Sequence, residues 1–386
     1  MTSITSAETA NNSHTPPNVN NTPPTPNTHC TTHTETAHTT PTQTPTTPNN
    51  GYAQLPLPTL RPTDIRLISH NINTLHTTTE AEIATTLDFY REFDPTIIGL
   101  QETNKNWTIF EKTEGPLRKV TQQRWPGARI VTAHSRDKAF HGPHQPGGVA
   151  QIVLRQLTGR VTSHGKDALG RYAWQEILLD GTHKLIVITA YRVSQLSATG
   201  AGPETSVMQQ WRRLRAQGIE NPNPRQQMLD DLLTFAKTHE GAGNEVIIMM
   251  DANARIDDPD IDKFMDELNM YDLMADYLPD TQPPTYQRGQ HKIDHIIGTI
   301  GVLTAMTGAG ILPFGEGPRS DHAIIYVDLS LETLSGMTSQ SLHDPTHPSS
   351  RRLWSTDIKA TEKYITLVNA GFQYENIAAR TATLID

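Results

Sequence analysis

The chain has 386 residues and a single cysteine, Cys30. One thiol excludes an internal disulfide and any cysteine-based zinc site within one chain, and it suits a reducing compartment. Long apolar runs are missing as well. No stretch approaches the roughly 18 apolar residues of a membrane helix. The first residues, MTSITSAETANN, carry no basic region, no apolar core and no Arg-rich amphipathic pattern, so no secretory or mitochondrial signal is expected. An intracellular protein, the nucleus included, without a membrane partner is the expectation. Positive charge is scarce: 32 Lys and Arg stand against 41 Asp and Glu, for a net charge of -9. Nucleic-acid binders usually show a basic domain. Any phosphate partner here must be met by a local patch or by a metal ion.

Charge of either sign is nearly absent from the first 50 residues, where Glu8 and Glu35 stand alone. Thr, Pro and Asn fill 33 of those 50 positions. Such a segment cannot bury enough apolar surface to offset the entropy of ordering it. The reading is a disordered segment over residues 1–60, a folded domain over 61–330, and a linker with a short helical tail over 331–386. The tail is nearly neutral, so the folded stretch 51–330 carries -6.

Within that stretch, IRLIS (65–69), PTIIGLQE (95–102), ARIVTAH (128–134), GVAQIVLRQL (148–157), YAWQEILLD (172–180) and KLIVITAYR (184–192) read as strands. Ile83, Leu87 and Tyr90 recur at helical spacing. Residues 193–244 look like an insertion. It contains a helix that Asn223 would cap, with Pro224 at its first position and Met228, Leu232 and Phe235 as its apolar stripe. The strand VIIMMD (246–251), a helix near 260–269, KIDHIIGT (292–299) and SDHAIIYVDLS (320–330) follow. Strands and helices alternate, yet many strands are adjacent, which predicts a layered α/β sandwich rather than a doubly wound sheet.

Several apolar strands end on polar residues. LISHNIN ends on Asn71 and Asn73, IIGLQE on Glu102, IVITAYR on Tyr191 and Arg192, and IIMMDAN on Asp251 and Asn253. KIDHII and RSDHAII place Asp294, Asp321 and His322 at strand starts. Hard oxygen ligands without cysteine suit Mg2+ or Mn2+. Asn and Tyr can donate to a phosphoryl group, a His beside a carboxylate can stay protonated, and a further Asp can take a proton from water. Those are the parts for hydrolysing a phosphodiester.

The ordered blocks LISHNIN, GLQET, TAYR, MMDANA, KIDHII and SDHAII resemble the endonuclease/exonuclease/phosphatase superfamily. That group includes exonuclease III-like abasic endonucleases, deoxyribonuclease I and retrotransposon endonucleases. The resemblance implies a four-layered α/β sandwich, two packed mixed β-sheets flanked by helices. It implies a Mg2+- or Mn2+-dependent phosphodiesterase, above all a monomeric DNA endonuclease. Glu102 would be the principal metal ligand, with Asn71, Asn73 and Asp321 near the ion. Asp251 would deprotonate the attacking water. Asn253 and Tyr191 would hold the scissile phosphate, beside Asn71, Asn73 and Arg192 in the substrate site. Asp294 would polarise His322, which would stabilise the charge that develops on phosphorus.

The chain also departs from the pattern. His70 stands where abasic endonucleases often have Trp, VSQ (193–195) stands where Pro-Asn often follows the Tyr block, and His295 replaces an aromatic. These changes put abasic-site specificity in doubt. The 193–244 insertion and PPTYQRG (283–289) look most like endonuclease domains of mobile elements, whose polyproteins run on beyond such a domain. RNA, nucleotide or phosphoinositide substrates remain alternatives, as does a non-catalytic relic that binds nucleic acid or protein. Taken singly, Glu102 reads as a surface acid, Asp251–Asn253 as a turn and Tyr191 as a core aromatic. His134, His141 and His144 read as a polar loop, and Arg212, Arg213 and Arg215 as a solvated helix face.

Overall fold

A computed structural model of the chain describes residues 51–76, 79–111, 115–135, 142–194, 201–278, 282–336 and 358–374. The expectations for residues 1–50, for His141 and for the linker over 337–357 lie outside these residues.

Two six-stranded sheets carry the fold. The first holds β1 (Asp64–Asn71), β2 (Ile97–Gln101), β3 (Arg129–Ala133), β4 (Val149–Val153), β11 (Met306–Ile311) and β12 (Ile325–Ser330), in the order β11-β12-β1-β2-β4-β3. The second holds β5 (Val161–Lys166), β6 (Tyr172–Asp180), β7 (His183–Tyr191), β8 (Glu245–Asp251), β9 (Tyr271–Asp272) and β10 (Asp294–Gly298), in the order β5-β6-β7-β8-β10-β9. Each sheet is mixed: β1 and β2 run parallel, as do β7 and β8, and the other pairs are antiparallel.

Each parallel pair needs a crossover. Helix α1 (Glu80–Arg91) supplies one, opened by a Thr79–Glu82 capping box. Short helices α2 (Trp107–Glu111) and α3 (Pro116–Arg124) follow β2. Helices α4 (Ser206–Ala216) and α5 (Pro224–Glu240) supply the second crossover, so the 193–244 insertion is this connection. Asn223 caps α5 as predicted, accepting from the amides of Arg225 and Gln226. Helices α6 (Pro259–Glu267), α7 (Ile300–Thr304) and α8 (Leu331–Ser335) complete the domain, and a further helix spans Ile358–Tyr374. Among the described residues, no helix is long and apolar enough to cross a membrane.

Strand parity gives the layers. Ile65, Leu67, Ile97, Val153, Leu185, Val187, Ile247, Met249, Ile296 and Val327 pack between the sheets. Their neighbours Ile68, Ile98, Leu100 and Ile152 face outward under α1 and α3, and Ile186, Ile188, Val246, Ile248 and Met250 face outward under α5 and α6. Three cores separate four layers, the expected sandwich. The sheets approach closely at Gly99, where an added Cβ would sit 2.7 Å from both Met249 Cε and Thr189 Oγ1.

Two boundaries differ from expectation. Residues 52–58 belong to the fold: the Ala53 amide donates to the Ile311 carbonyl at 2.7 Å, and Tyr52 packs edge-on against Phe314. At the other end, buried Leu331 and Leu334 of α8 join the inter-sheet core.

Candidate active site

The inward parity of the apolar strands leads directly to the polar residues. Along β1, Ile65 and Leu67 are followed on the same face by Ser69 and Asn71. Along β7, Leu185 and Val187 are followed by Thr189 and Tyr191, and along β8, Ile247 and Met249 by Asp251. A layer of hydroxyls and amides separates grease from charge. Gln101 Nε2 donates to Ser69 Oγ at 2.9 Å, and Gln151 Nε2 to Thr189 Oγ1 at 3.1 Å. Above that layer, register places Tyr191 opposite Asp251 and Asp251 opposite Asp294 on adjacent strands of the second sheet.

The first sheet supplies the facing residues. Asn71 Nδ2 lies 2.7 Å from Asp251 Oδ2, 3.2 Å from Glu102 Oε2 and 3.5 Å from His322 Nε2. One amide nitrogen therefore touches all three groups on which the functional expectation depends. His322 Nδ1 donates to Asp294 Oδ2 at 2.9 Å. The Tyr191 hydroxyl donates to Glu102 Oε1.

The strand ends are shaped to aim these groups. Glu102, Asn73, Thr74, Asn104 and Asn253 have φ of 48°, 41°, 93°, 52° and 47°, all in the left-handed region. Asn tolerates that region and Glu does not do so readily. Such strain costs on the order of 1–3 kcal/mol per residue and clusters at functional sites. Two turns share one device: Asn71 Oδ1 accepts the Asn73 amide at 3.0 Å, and Asp251 Oδ1 accepts the Asn253 amide at 2.9 Å. Ser320 does the same for His322, its Oγ accepting the His322 amide at 3.0 Å.

Charge in the centre is unbalanced. Burial, and then the carboxylates of Asp294 and Glu102, push the fully buried Asp251 carboxyl well above the usual range, against the opposing charge of His322. Burial opposes protonation of His322, but Asp294, Asp251 and Asp321 outweigh it and push the imidazole up to about 10. Burial also pushes the Tyr191 hydroxyl well above its ordinary value, reinforced by Glu102 and Asp251, so it remains a donor. Burial is the larger cause at Asp251 and an opposing one at His322, while the neighbouring carboxylates act on both groups in the same direction. That donor set and charge fit a divalent cation. Asp251, Asp294 and His322 bring polar atoms within 4.8 Å of one another, but His322 as an imidazolium cannot ligate, which leaves the carboxylates of the centre to hold an ion.

The remaining predicted residues lie farther out. Asp321 accepts from Asn73 Nδ2 at 2.9 Å and has Arg288 at 3.6 Å, and it is linked to Asn71 through Asn73, two hydrogen bonds away. Asn253 Nδ2 donates to the Arg192 carbonyl at 2.8 Å and to Asp251 Oδ2 at 3.3 Å, so both amide hydrogens hold the turn. Arg192 is the exception among the predicted substrate residues. Strand parity turns it away from Tyr191, and its guanidinium is buried against Asp260 at 2.8 Å and the Arg225 carbonyl at 3.3 Å.

Other residues of the centre had weaker signals or none. Thr285 Oγ1 accepts the amides of Ile293 and Asp294 at 3.0 and 3.1 Å, which seats Asp294. The Tyr286 ring lies 5.1 Å from that of His322. Both sit in PPTYQRG, a stretch whose likeness was visible but whose contacts were not. His70 Nε2 donates to the His322 carbonyl at 3.2 Å, leaving Nδ1 to accept from the Tyr90 hydroxyl at 2.6 Å. Burial pushes His70 down to about 4, so this residue is neutral scaffolding. Arg225 donates to the carbonyls of Val193, Ser194 and Asn253, tying the ends of β7 and β8 together. Nothing along the chain marks that residue. His134 and His144 do not form a metal group with a third described residue; His134 Nε2 pairs with Thr108 Oγ1 at 2.7 Å.

Comparison with known proteins bears on the family. The chain is similar to the catalytic domain of Xenopus laevis APE2, with 18% identity, 69% of this chain and 92% of that chain covered, and a TM-score of 0.49. It is similar to the AP endonuclease LMAP from Leishmania major, with 14% identity, 73% and 96% covered, and a TM-score of 0.49. It is also similar to the human Nocturnin catalytic domain, with 18% identity, 70% and 95% covered, and a TM-score of 0.47. No curated protein matches the chain by sequence. The family model described as Endonuclease/Exonuclease/phosphatase family matches residues 68–322, a span that starts in β1 and ends on His322, and the chain belongs to that family.

Proposed function

We propose that the chain is a divalent-metal-dependent phosphodiesterase, and specifically a DNA endonuclease of mobile-element type. One observation carries the reading: the Asn71 amide within 3.5 Å of Glu102, Asp251 and His322, residues far apart in sequence. A Mg2+ or Mn2+ ion held by Glu102, with Asn71 and Asp321 toward it, would supply positive charge against the phosphate oxygens and offset the clustered carboxylates.

The chain's own residues do the rest. His322, held as an imidazolium by Asp294, presents Nε2–H toward the centre and donates to a phosphate oxygen as charge builds. Asp251 takes a proton from the attacking water, kept in position by Asn71 and by the Asn253 turn. Tyr191 and Asn71 orient Glu102. The apolar core and the hydroxyl–amide layer beneath exclude bulk water, which strengthens each of these interactions.

The test is nicking of supercoiled plasmid by the full chain with Mg2+ and with chelator. Mg2+-dependent nicking that Glu102→Gln loses supports the assignment. A Glu102→Gln variant that nicks as fast as the wild type refutes it.

A second reading keeps the site and replaces duplex DNA with RNA tails, nucleotides or phosphoinositides. The net charge of -6 over residues 51–330 favours it, because duplex binding draws on many Lys and Arg. Turnover on plasmid, poly(A) and inositol phosphates separates the two. A non-catalytic relic is disfavoured because every carboxylate and histidine of the expected set is in place.

A further inference from the structure

Thr285 holds both halves of the Asp294–His322 pair. Its Oγ1 accepts the Ile293 and Asp294 amides at 3.0 and 3.1 Å, and its carbonyl accepts the amide of Ala323, the neighbour of His322, at 2.8 Å. Tyr286 then lays its ring 5.1 Å from that of His322. The aim of the imidazolium therefore depends on where residues 284–286 are held. The stretch is short of donors of its own. Pro283 and Pro284 have no backbone N–H, so neither anchors the entry to it by an amide hydrogen bond. The Thr285 amide makes only a long bond, 3.4 Å, to the His291 carbonyl.

A donor arrives from the other end of the domain. The Tyr52 hydroxyl donates to the Pro284 carbonyl at 3.1 Å, across 232 residues of sequence. Tyr52 is not a loose surface ring. It packs edge-on against Phe314 with centroids 5.9 Å apart, and both rings lie against the inter-sheet core. The next residue is fixed to β11: the Ala53 amide donates to the Ile311 carbonyl at 2.7 Å. Gly310 leaves room for that approach, since a Cβ on it would lie 3.1 Å from the Ala53 Cβ. A ring already packed in this way loses little further freedom when its hydroxyl makes one more bond.

We propose that Tyr52 is a positioning residue for the Asp294–His322 pair, acting through Pro284 and Thr285. It lies outside residues 68–322, the span that the family model matches. Its hydroxyl fixes the entry to the 284–286 stretch, Thr285 transmits that position to the backbone of Asp294 and of Ala323, and Tyr286 packs on the imidazole itself. With the hydroxyl gone, the stretch shifts and the His322 Nε2–H points away from its best direction, although every group of the pair is still present. Small misplacements of this kind lower the rate of the chemical step more than they weaken substrate binding. The effect on rate rests on the phosphodiesterase reading; the hold on the pair does not.

The experiment uses the full chain and Tyr52→Phe, which keeps the ring on Phe314 and removes only the hydroxyl. Two quantities are read: kcat and KM for bis(4-nitrophenyl) phosphate with Mg2+, and deuterium uptake in peptides covering residues 285–295 and 320–325. The expected result is a kcat lower by about three- to tenfold at unchanged KM. Uptake in both peptides should be at least about threefold faster, with that of β7 and β8 unchanged. Combined with Asp294→Asn, the fall in kcat should be smaller than the product of the two separate falls by at least about twofold, because both changes act on one pair. Wild-type kcat in Tyr52→Phe, unchanged uptake in the two peptides, or a full product in the double variant overturns the proposal. Absence of turnover in the wild type overturns the phosphodiesterase reading instead, and the uptake alone then decides whether Tyr52 holds the pair.

Discussion

Replacing Asp294 with Asn separates the charge of His322 from its position. The residue is buried, held by Thr285, and isosteric with its replacement, so packing changes little. What changes is the support for the imidazolium. Among the groups that raise His322 from 6.5 to about 10, Asp294 comes first, by its charge and by its hydrogen bond. Without it, only Asp251 and Asp321 oppose the effect of burial, and the imidazole falls toward its ordinary value. A histidine at 6.5 is about three-quarters protonated at pH 6 and about 3% protonated at pH 8. The variant should therefore keep most of the wild-type kcat/KM at pH 6 and lose about thirtyfold at pH 8. The assay is hydrolysis of bis(4-nitrophenyl) phosphate across pH 6–9, with each rate divided by the wild-type rate at the same pH. Stability follows the same sign. A folded-state value above the unfolded one means that His322 stabilises the fold fully below about pH 6.5 and loses that contribution as pH rises through about 10. A rate ratio that is flat with pH would refute the reasoning, because it would mean that the His322 proton is not what Asp294 maintains.

Three further outcomes follow from the same geometry. Glu102→Gln should abolish the rise in melting temperature that Mg2+ gives the wild type and lower kcat by on the order of 10²–10³, as read by thermal unfolding and plasmid nicking. Arg225→Met leaves the carbonyls of Val193, Ser194 and Asn253 short of a donor. It should lower stability by about 1–3 kcal/mol in urea unfolding, and it should reduce kcat because the Asn253 turn loosens. Gly99→Ala places a methyl 2.7 Å from Met249 and Thr189 between the sheets, and should cost about 1–3 kcal/mol in the same measurement with the metal response intact.

Much of the architecture was legible because parity is a local signal. In β1, β7 and β8 the apolar runs were visible as strands, and their polar last residues fell on the inner face where the geometry now places them. The cap at Asn223 and the apolar stripe of α5 were equally local. Less legible were β5, a polar strand at a sheet edge whose residues alternate between half-buried and exposed, and β11, weakened by two glycines. Neither has the apolar density that marks a strand between two layers. Residues 52–58 show no periodicity at all, yet they are held by the Ala53–Ile311 backbone bond, by hydrogen bonds from the Tyr52 hydroxyl to the Pro284 carbonyl and from Arg66 to the Pro58 carbonyl, and by the Tyr52–Phe314 contact.

The site divides in the same way. Asn71, Glu102, Asp251, Asp294 and His322 were identified from the ordered blocks, and they converge. Arg192 follows Tyr191 directly in the TAYR block, and adjacent residues of a strand face opposite ways. Arg225 acts through the carbonyls of Val193, Ser194 and Asn253, which lie far away in the chain, and a single sequence holds no mark of such contacts. The left-handed turn at Glu102 was invisible for another reason: its residue type does not announce it.

The most direct measurement is the anomalous signal of Mn2+ in crystals of the full chain. The account predicts one strong peak within about 2.5 Å of a Glu102 carboxylate oxygen, beside the Asn71 side chain. A peak bound by Asp251, Asp294 and His322 with Glu102 uninvolved, or no peak at saturating Mn2+, would contradict it.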